Sequence, residues 1–297
     1  GCNNLNRPTK VGILGRGFGL YGYLPAAIQN GWEPHTLDRY KQEFSLRPEL
    51  SKYIDKVSFH ADENSILSHV STLVCARNPQ SQVNLLEIAC PFTGHVFLEK
   101  PLAPTITQHE SILKKLSSAK QSFSVGYLFP YTAWYREIID KSKSEGTGTY
   151  DIQWEVKLSN TSWKSTLLTG GGIASYYAIH FVTLLDNLDT DFNSIKFLNQ
   201  KNHLTIHCNV GGNVNINITI KISISNHFRI DYTSQEGLSQ EIISTETPFG
   251  LTGVRGVEDP RVPFLVKYLA HYHKVGNYKL NLELELKAQQ FRRLSLQ

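Results

Sequence analysis

The sequence predicts an α/β protein of two domains: a parallel sheet covered on both faces by helices over residues 1–122, and an α+β domain over 123–297. Three observations lead there. The first ~120 residues alternate short apolar runs with helix-length segments, the pattern of strands joined by crossover helices. Beyond them the patterning switches to a period of two, that of strands with one buried face. At 297 residues the chain also exceeds a typical single domain of about 100–150 residues.

The elements follow in order. "KVGIL" (10–14) reads as the first strand, and a helix over 21–30 is stopped by "NGW". "HTLD" (35–38) is the second strand. "STLVCA" (71–76) and "HVFLEK" (95–100) are compact apolar strands separated by the helical "QSQVNLLEIACPF" (80–92). The helix "TQHESILKKLSSAK" (107–120) leads into "QSFSVGYL" (121–128). Open α/β sheets of this kind bind ligands at the carboxyl ends of their strands.

After residue 122, "YDIQWEVKL", "HLTIHCNV" and "HFRIDYT" alternate apolar and polar residues. In "VNINITIKISIS" the residues Val214, Ile216, Ile218, Ile220, Ile222 and Ile224 share one face, opposite Asn, Thr, Lys and Ser. Such alternation predicts an antiparallel sheet with one apolar face, covered by helices or by another subunit. The helical segments "GIASYYAIHFVTLLDNL" (172–188) and "DPRVPFLVKYLAHYHK" (259–274) are expected to supply cover, and "LELELKAQQFRRL" (282–294) closes the chain. So broad an isoleucine stripe exceeds what those helices would hide, which predicts a homodimer or homotetramer formed through this sheet.

Composition excludes several classes. Charged residues make up 19% and the formal charge of +4 is dispersed, so no basic stripe points to nucleic acid. No run approaches the roughly 20 apolar residues of a membrane span, and the N-terminus lacks a signal-peptide pattern. Cys2, Cys75, Cys90 and Cys208 have neither metal-ligand nor disulfide-framework spacing and read as free thiols of a cytoplasmic protein. Of the eleven histidines, the two in "HYH" (271–273) would project to different faces of a helix, and no metal is expected. The chain contains no methionine, and motif readings are therefore confined to short contiguous stretches.

"GRGFGLYG" (15–22) follows the first strand directly. A dinucleotide-binding turn needs glycine where the chain leaves the strand, glycine where backbone meets pyrophosphate, and a small residue where helix packs on strand. Gly15 and Gly17 fill the first two places, flanking Phe18; the third falls on Leu20, with Gly19 beside it relieving the crowding. A second register, Gly17, Gly19 and Gly22, starts too far beyond the strand. Asp38, 23 residues after Gly15, is placed to accept from both ribose hydroxyls, which favours NAD; Arg39 beside it keeps NADP open. On these residues alone a plain glycine-rich turn also remains open.

"HVFLEKPLAPT" (95–105) sets Glu99, Lys100 and Pro101 at the end of a buried strand. This segment resembles the EKP motif of the glucose-fructose oxidoreductase/inositol dehydrogenase/MocA (Gfo/Idh/MocA) family. The resemblance extends in order through the glycine turn, "RNPQSQ", "SVGYLFPYTAWYREI" and "GGGIASYYAIHFVTLL". It implies an N-terminal Rossmann doubly wound parallel sheet, a C-terminal α+β domain with a large, mostly antiparallel open sheet, and NAD(P)-dependent oxidation or reduction of a sugar, sugar derivative or cyclitol. It also implies that Lys100 is catalytic and follows into a peptide bond that is often cis. A positive nicotinamide nearby would lower the pKa of such a lysine and suit it to proton transfer.

"GGGIASYYAIHF" (170–181) resembles the family's second catalytic segment, with His180 matching its histidine and Tyr176 standing where the family has aspartate. Four apart on a helix, both would share one face. By position, Asn78 and Pro79 are implied along the cofactor with Glu99, and Tyr127, Trp163 and Lys164 around the substrate. Leu20 and Tyr176 depart from the family pattern and support a rival reading, a catalytically weakened dinucleotide-binding sensor or regulatory protein. A third reading is an interaction protein that uses the apolar sheet face.

Overall fold

A computed structural model describes residues 7–158 and 172–297. Trp163 and Lys164 lie outside the described residues. These residues divide into two compact units: 7–102, Lys114–Gly126 and Gly253–Asn281 form the first, and Ala103–Leu113, Tyr127–Thr252 and Leu282–Gln297 the second. The position 122/123 lies inside the segment Lys114–Gly126, and the chain returns to the first unit after residue 252.

The first unit is built on alternating strands and helices. β1 (Lys10–Leu14) opens into the glycine turn, and one wide turn at Gly19–Tyr23 leads into α1 (Leu24–Gln29). β2 (Glu33–Leu37) precedes α2 (Lys41–Leu46) and α3 (Pro48–Ser51), and β3 (Ser58–His60) precedes α4 (Glu63–His69). β4 (Thr72–Cys75), α5 (Pro79–Ala89), β5 (His95–Leu98), α6 (Ile106–Ser118) and β6 (Phe123–Val125) follow. The sheet order is β3-β2-β1-β4-β5-β6, and every pairing is parallel. The order reverses between β1 and β4, so their carboxyl tips flank the crevice where such sheets bind ligands. At three residues, β3 is too short for any periodicity to reveal.

The second unit carries α7 (Ala133–Glu145), β7 (Gly148–Lys157), α8 (Gly172–Tyr176) and α9 (Val182–Asn187). Its remaining strands are β8 (Lys196–Gln200), β9 (His203–Val210), β10 (Val214–Ser223), β11 (His227–Thr233) and β12 (Ser239–Thr245). They form a sheet ordered β12-β11-β7-β10-β9-β8, antiparallel except for the parallel pair β7–β10. Ile216, Ile218 and Ile220 stand opposite Tyr150, Ile152 and Trp154 on one side and Cys208, Ile206 and Leu204 on the other. That face is closed within the chain: Ile216, Ile218 and Ile220 are 0%, 0% and 1% exposed. Trp134 of α7 lies 5.2 Å from Phe228, and Phe129 and Phe181 lie 5.9 and 6.2 Å from Trp154. The stripe therefore ends with Ile220, since Ile222 is half-exposed and Ile224 lies beyond the strand and is exposed. No second subunit is needed to cover the isoleucine face.

Two helix expectations are corrected. The segment 172–188 is not one helix: the backbone breaks at Tyr177 (φ −105, ψ −57), and a 3₁₀ turn at Ala178–Phe181 separates α8 from α9. Tyr176 and His180 thus do not occupy one helix face. The helix expected to cover the second sheet, α10 (Val262–Val275), belongs instead to the first unit. Its Leu265, Tyr268 and Leu269 are fully buried, Tyr268 packs 5.5 Å from Phe97 of β5, and its hydroxyl hydrogen-bonds Ser124 at 2.9 Å. The last helix, α11 (Tyr278–Ser295), sets Phe291 5.0 Å from Phe197 of β8 in the second unit.

Candidate functional site

Gly15 leaves β1 at φ +147, and a Cβ there would lie 2.3 Å from the carbonyl oxygen of Ala76. Only glycine fits. Gly17 is open, the nearest heavy atom to such a Cβ being Tyr21 Cε1 at 3.9 Å. A Cβ on Gly19 would meet Ala76 Cβ, Ile13 Cγ2 and the Leu14 carbonyl carbon at 3.4 to 3.7 Å, ordinary contact, so that position does not demand glycine. Leu20, expected where helix packs on strand, is fully buried in the core. Sharp exit and open backbone occur at Gly15 and Gly17. Phe18 turns away from the open position: a Cβ on Gly22 would strike its ring at 2.2 Å, and the Arg261 guanidinium lies 3.9 Å from its centroid.

At the tip of β2, Asp38 is exposed, with Lys41 Nζ 3.7 Å from its carboxylate. Arg16 donates to the carbonyl of Arg39 at 3.1 Å, so the turns after β1 and β2 lie side by side. Arg39 itself donates to Glu63 at 2.9 Å, and so does Arg77. At the tip of β4, Asn78 caps α5 by accepting from Ser81 N at 2.9 Å, with Pro79 in the first helical turn.

Glu99 and Lys100 follow β5. Lys100 is 9% exposed, and the Lys100–Pro101 peptide bond is cis. The segment is gripped by Gln82, which sequence reasoning missed: its Nε2 donates to the carbonyls of Glu99 (2.8 Å) and Leu102 (3.1 Å), and its Oε1 accepts from Glu99 N (2.8 Å). A fully buried glutamine on a helix has no local sequence signature. Glu99 turns inward, where Tyr23 donates to its carboxylate, and a Cβ on Gly126 would lie 2.6 Å from Glu99 Oε1. Burial raises its pKa, opposed by the charge of Lys100, the Tyr23 hydroxyl and the charge of Arg261. Its observed contacts thus make Glu99 a support beneath the segment.

In the second unit His180 is 6% exposed and stacks on Phe129 at 4.8 Å and 19°. Tyr176 is half-exposed and packs edge-on against Tyr177 at 4.9 Å. Tyr127 is buried, and its hydroxyl donates to Glu285 at 2.9 Å. Glu285 begins a buried polar chain that no motif announced. Its other oxygen lies 3.4 Å from His109 Nε2, and His109 Nδ1 lies 3.0 Å from Arg292 Nη1. A guanidinium only donates, so Nδ1 accepts and the imidazole proton sits on Nε2, facing the carboxylate. Arg292 also donates to Ser175 Oγ (2.8 Å) and to the carbonyls of Ala103 and Pro104 (2.7 Å each). Burial lifts Glu285 to about 7, and burial with the charge of Arg292 lowers His109 to about 3.

Among the described residues no group of three His, Cys, Asp or Glu side chains is arranged to hold a metal, and no helix is long and apolar enough to cross a membrane. No family model and no curated protein matches the chain. Solved structures share its fold over nearly the full length. A myo-inositol dehydrogenase from Corynebacterium glutamicum is 11% identical with a TM-score of 0.70, covering 98% of this chain and 96% of its own. A dehydrogenase from Thermus thermophilus, solved with NAD and UDP-GlcNAcA, is 12% identical with a TM-score of 0.68, covering 96% and 94%. A 3-ketoreductase from Actinomadura kijaniata, solved with NADP and TDP-benzene, is 11% identical with a TM-score of 0.67, covering 97% and 96%. The chain therefore has the two-domain fold of these dehydrogenases.

Proposed function

We propose that the protein is an NAD(P)-dependent oxidoreductase of the Gfo/Idh/MocA type, acting on a hydroxyl or keto carbon of a sugar, sugar derivative or cyclitol. The observation that carries this reading is the tip of the parallel sheet: a glycine turn open at Gly17 after β1, and a buried lysine, Lys100, after β5. The turn fits a diphosphate, since side chains are excluded at Gly15 and nothing comes nearer than 3.9 Å to a Cβ on Gly17. When bound, the nicotinamide exchanges a hydride with the carbinol carbon, so the alcohol and ketone interconvert.

The protein's own task is then the hydroxyl proton. Lys100 is assigned as the group that takes it during oxidation and returns it during reduction, held by the grip of Gln82 on the backbone either side of it. His180 and Tyr176 are assigned to substrate contact by the family resemblance. Tyr176 brings a hydroxyl and not the carboxylate of the family pattern, and it does not ionise near neutral pH.

Calorimetric titration with NADH and NADPH, followed by turnover of a panel of sugars, sugar nucleotides and cyclitols, tests the reading. Binding is expected, with turnover that falls by roughly 10²–10⁴-fold in Lys100→Ala. Turnover untouched by that change overturns the role of Lys100. Dinucleotide binding without turnover on any substrate points to a sensor instead.

A further inference from the structure

We infer that Glu63, on α4 and remote from every motif, sets the protein's preference for NAD over NADP by occupying the arginine that a 2′-phosphate would need. The inference rests on the dinucleotide reading above.

Four cations gather where the turns after β1, β2 and β4 come together: Arg16, Arg39, Lys41 and Arg77. Each is already matched to a carboxylate. Arg16 lies 3.9 Å from Glu43, Lys41 lies 3.7 Å from Asp38, and Arg39 and Arg77 both reach the same oxygen of Glu63 at 2.9 Å. Arg77 is further fixed by the Tyr40 hydroxyl at 3.5 Å, while the ring of Tyr40 lies between 5.4 and 5.6 Å from the guanidinium carbons of Arg16 and Arg39.

Arg39 adjoins Asp38 in sequence, so it is the cation best placed to answer a phosphate on the ribose. NADP would bring two further negative charges to a place where Asp38 already stands. To gain the full fork of the Arg39 guanidinium it would have to compete with Glu63, which holds Nη2 and whose carboxylate is well matched there: burial alone would raise its pKa, yet the hydrogen bonds from Arg77 and Arg39 hold it at about 2. A ribose diol has no such requirement, because the exposed Asp38 carboxylate accepts from hydroxyls directly. Glu63 is thus a positioning residue, acting on the cofactor only through Arg39.

The test measures the dissociation constants of NADH and NADPH by titration for the unaltered protein, Glu63→Gln, Glu63→Asp and the double variant Glu63→Gln/Arg39→Ala. The unaltered protein is expected to prefer NADH. Glu63→Gln is expected to move the affinity ratio toward NADPH by roughly two- to fivefold, the scale of one partly exposed ion pair. That gain should shrink with added salt, vanish in the double variant and be largely absent in Glu63→Asp, which keeps the charge. A merely structural role would weaken both cofactors together and leave the ratio unmoved. An unchanged ratio in Glu63→Gln, a gain that survives loss of Arg39, or a native preference for NADPH each overturns the inference. Failure of both dinucleotides to bind the unaltered protein is a separate result, and it removes the oxidoreductase reading along with this one.

Discussion

Each unit sets a carboxylate beneath a tyrosine hydroxyl, that of the half-buried Glu99 and that of the fully buried Glu285, and the two are built differently. In the first, Glu99 accepts from Tyr23 and sits next in sequence to Lys100. In the second, Glu285 accepts from Tyr127, and its nearest full charge, Arg292, is reached through a neutral histidine. Burial raises the pKa of both. One is the floor of a motif readable in eleven residues; the other joins α6, α8 and α11, which are far apart in sequence. A buried charge costs several kcal/mol unless it is paired and hydrogen-bonded. In the first unit the opposing charge, Lys100, is the sequence neighbour of Glu99, although the tyrosine lies 76 residues away; in the second, Arg292 also ties together Ser175, Ala103, Pro104 and His109, up to 189 residues distant, so its loss should disturb more.

The largest expected effect is therefore Arg292→Met. It strips donors from Ser175, Ala103, Pro104 and His109 and leaves Glu285 without its cation, which should cost about 3–5 kcal/mol in urea unfolding. Adding Glu285→Leu should recover part of the loss. If Arg292→Met unfolds no more easily than a surface change, the long-range assembly is not a source of stability. Arg292→Lys should fall between, because an ammonium cannot reproduce the planar fork.

Paired hydroxyl deletions sharpen the contrast. Tyr23→Phe and Tyr127→Phe each remove one donor from a buried carboxylate, at about 1–3 kcal/mol apiece by the same unfolding measurement. Only Tyr23→Phe should also lower turnover, since Glu99 lies under the segment that carries Lys100. Equal effects on turnover would erase the distinction.

The smallest expected effect is a difference in acid response. In the first unit burial lowers His35 and His95 from 6.5 to about 4, with nearby histidines and, at His35, Lys10 adding to the shift. Between pH 6.5 and 4 the unfolded chain binds more protons at these residues, so their contribution to stability is lost as pH falls. In the second unit His109 has the same sign, with its window running from 6.5 down to about 3. Glu285 has the opposite sign: its folded pKa rises from 4.5 to about 7, so its contribution grows as pH falls through that range. His109 and Glu285 cancel between about 4.5 and 6.5, whereas in the first unit the raised Glu99 stands against four lowered histidines, His35, His60, His95 and His273. Hydrogen exchange at pH 6.5 and 4.5 should show protection declining in β2 and β5 while β10 holds; parallel decline in all three strands would contradict the cancellation.

Much of the fold was legible because its signals are local. The alternation in "VNINITIKISIS" gave the buried face of β10, and the glycine turn and EKP segment gave the two strand tips, of β1 and β5, that matter chemically. Gln82, Glu63 and Arg292 left no trace, since a polar residue on a helix reads like a solvated one until its partners are known. The placement of α10 was misjudged for a related reason: an amphipathic helix declares that it must cover something, not which sheet.

The sequence by itself determined where strands end, where only glycine could stand and which charged residues lie at the strand tips, because sterics and periodicity act over a few residues. Tertiary structure alone decided which helix covers which sheet, which carboxylate holds which arginine, and that the isoleucine face closes within one chain. Those outcomes depend on contacts between residues far apart in sequence, 189 positions between Ala103 and Arg292 and 236 between Asn30 and Val266. No local pattern encodes such a pairing, because the free energy that selects it arises only once both segments have left water together.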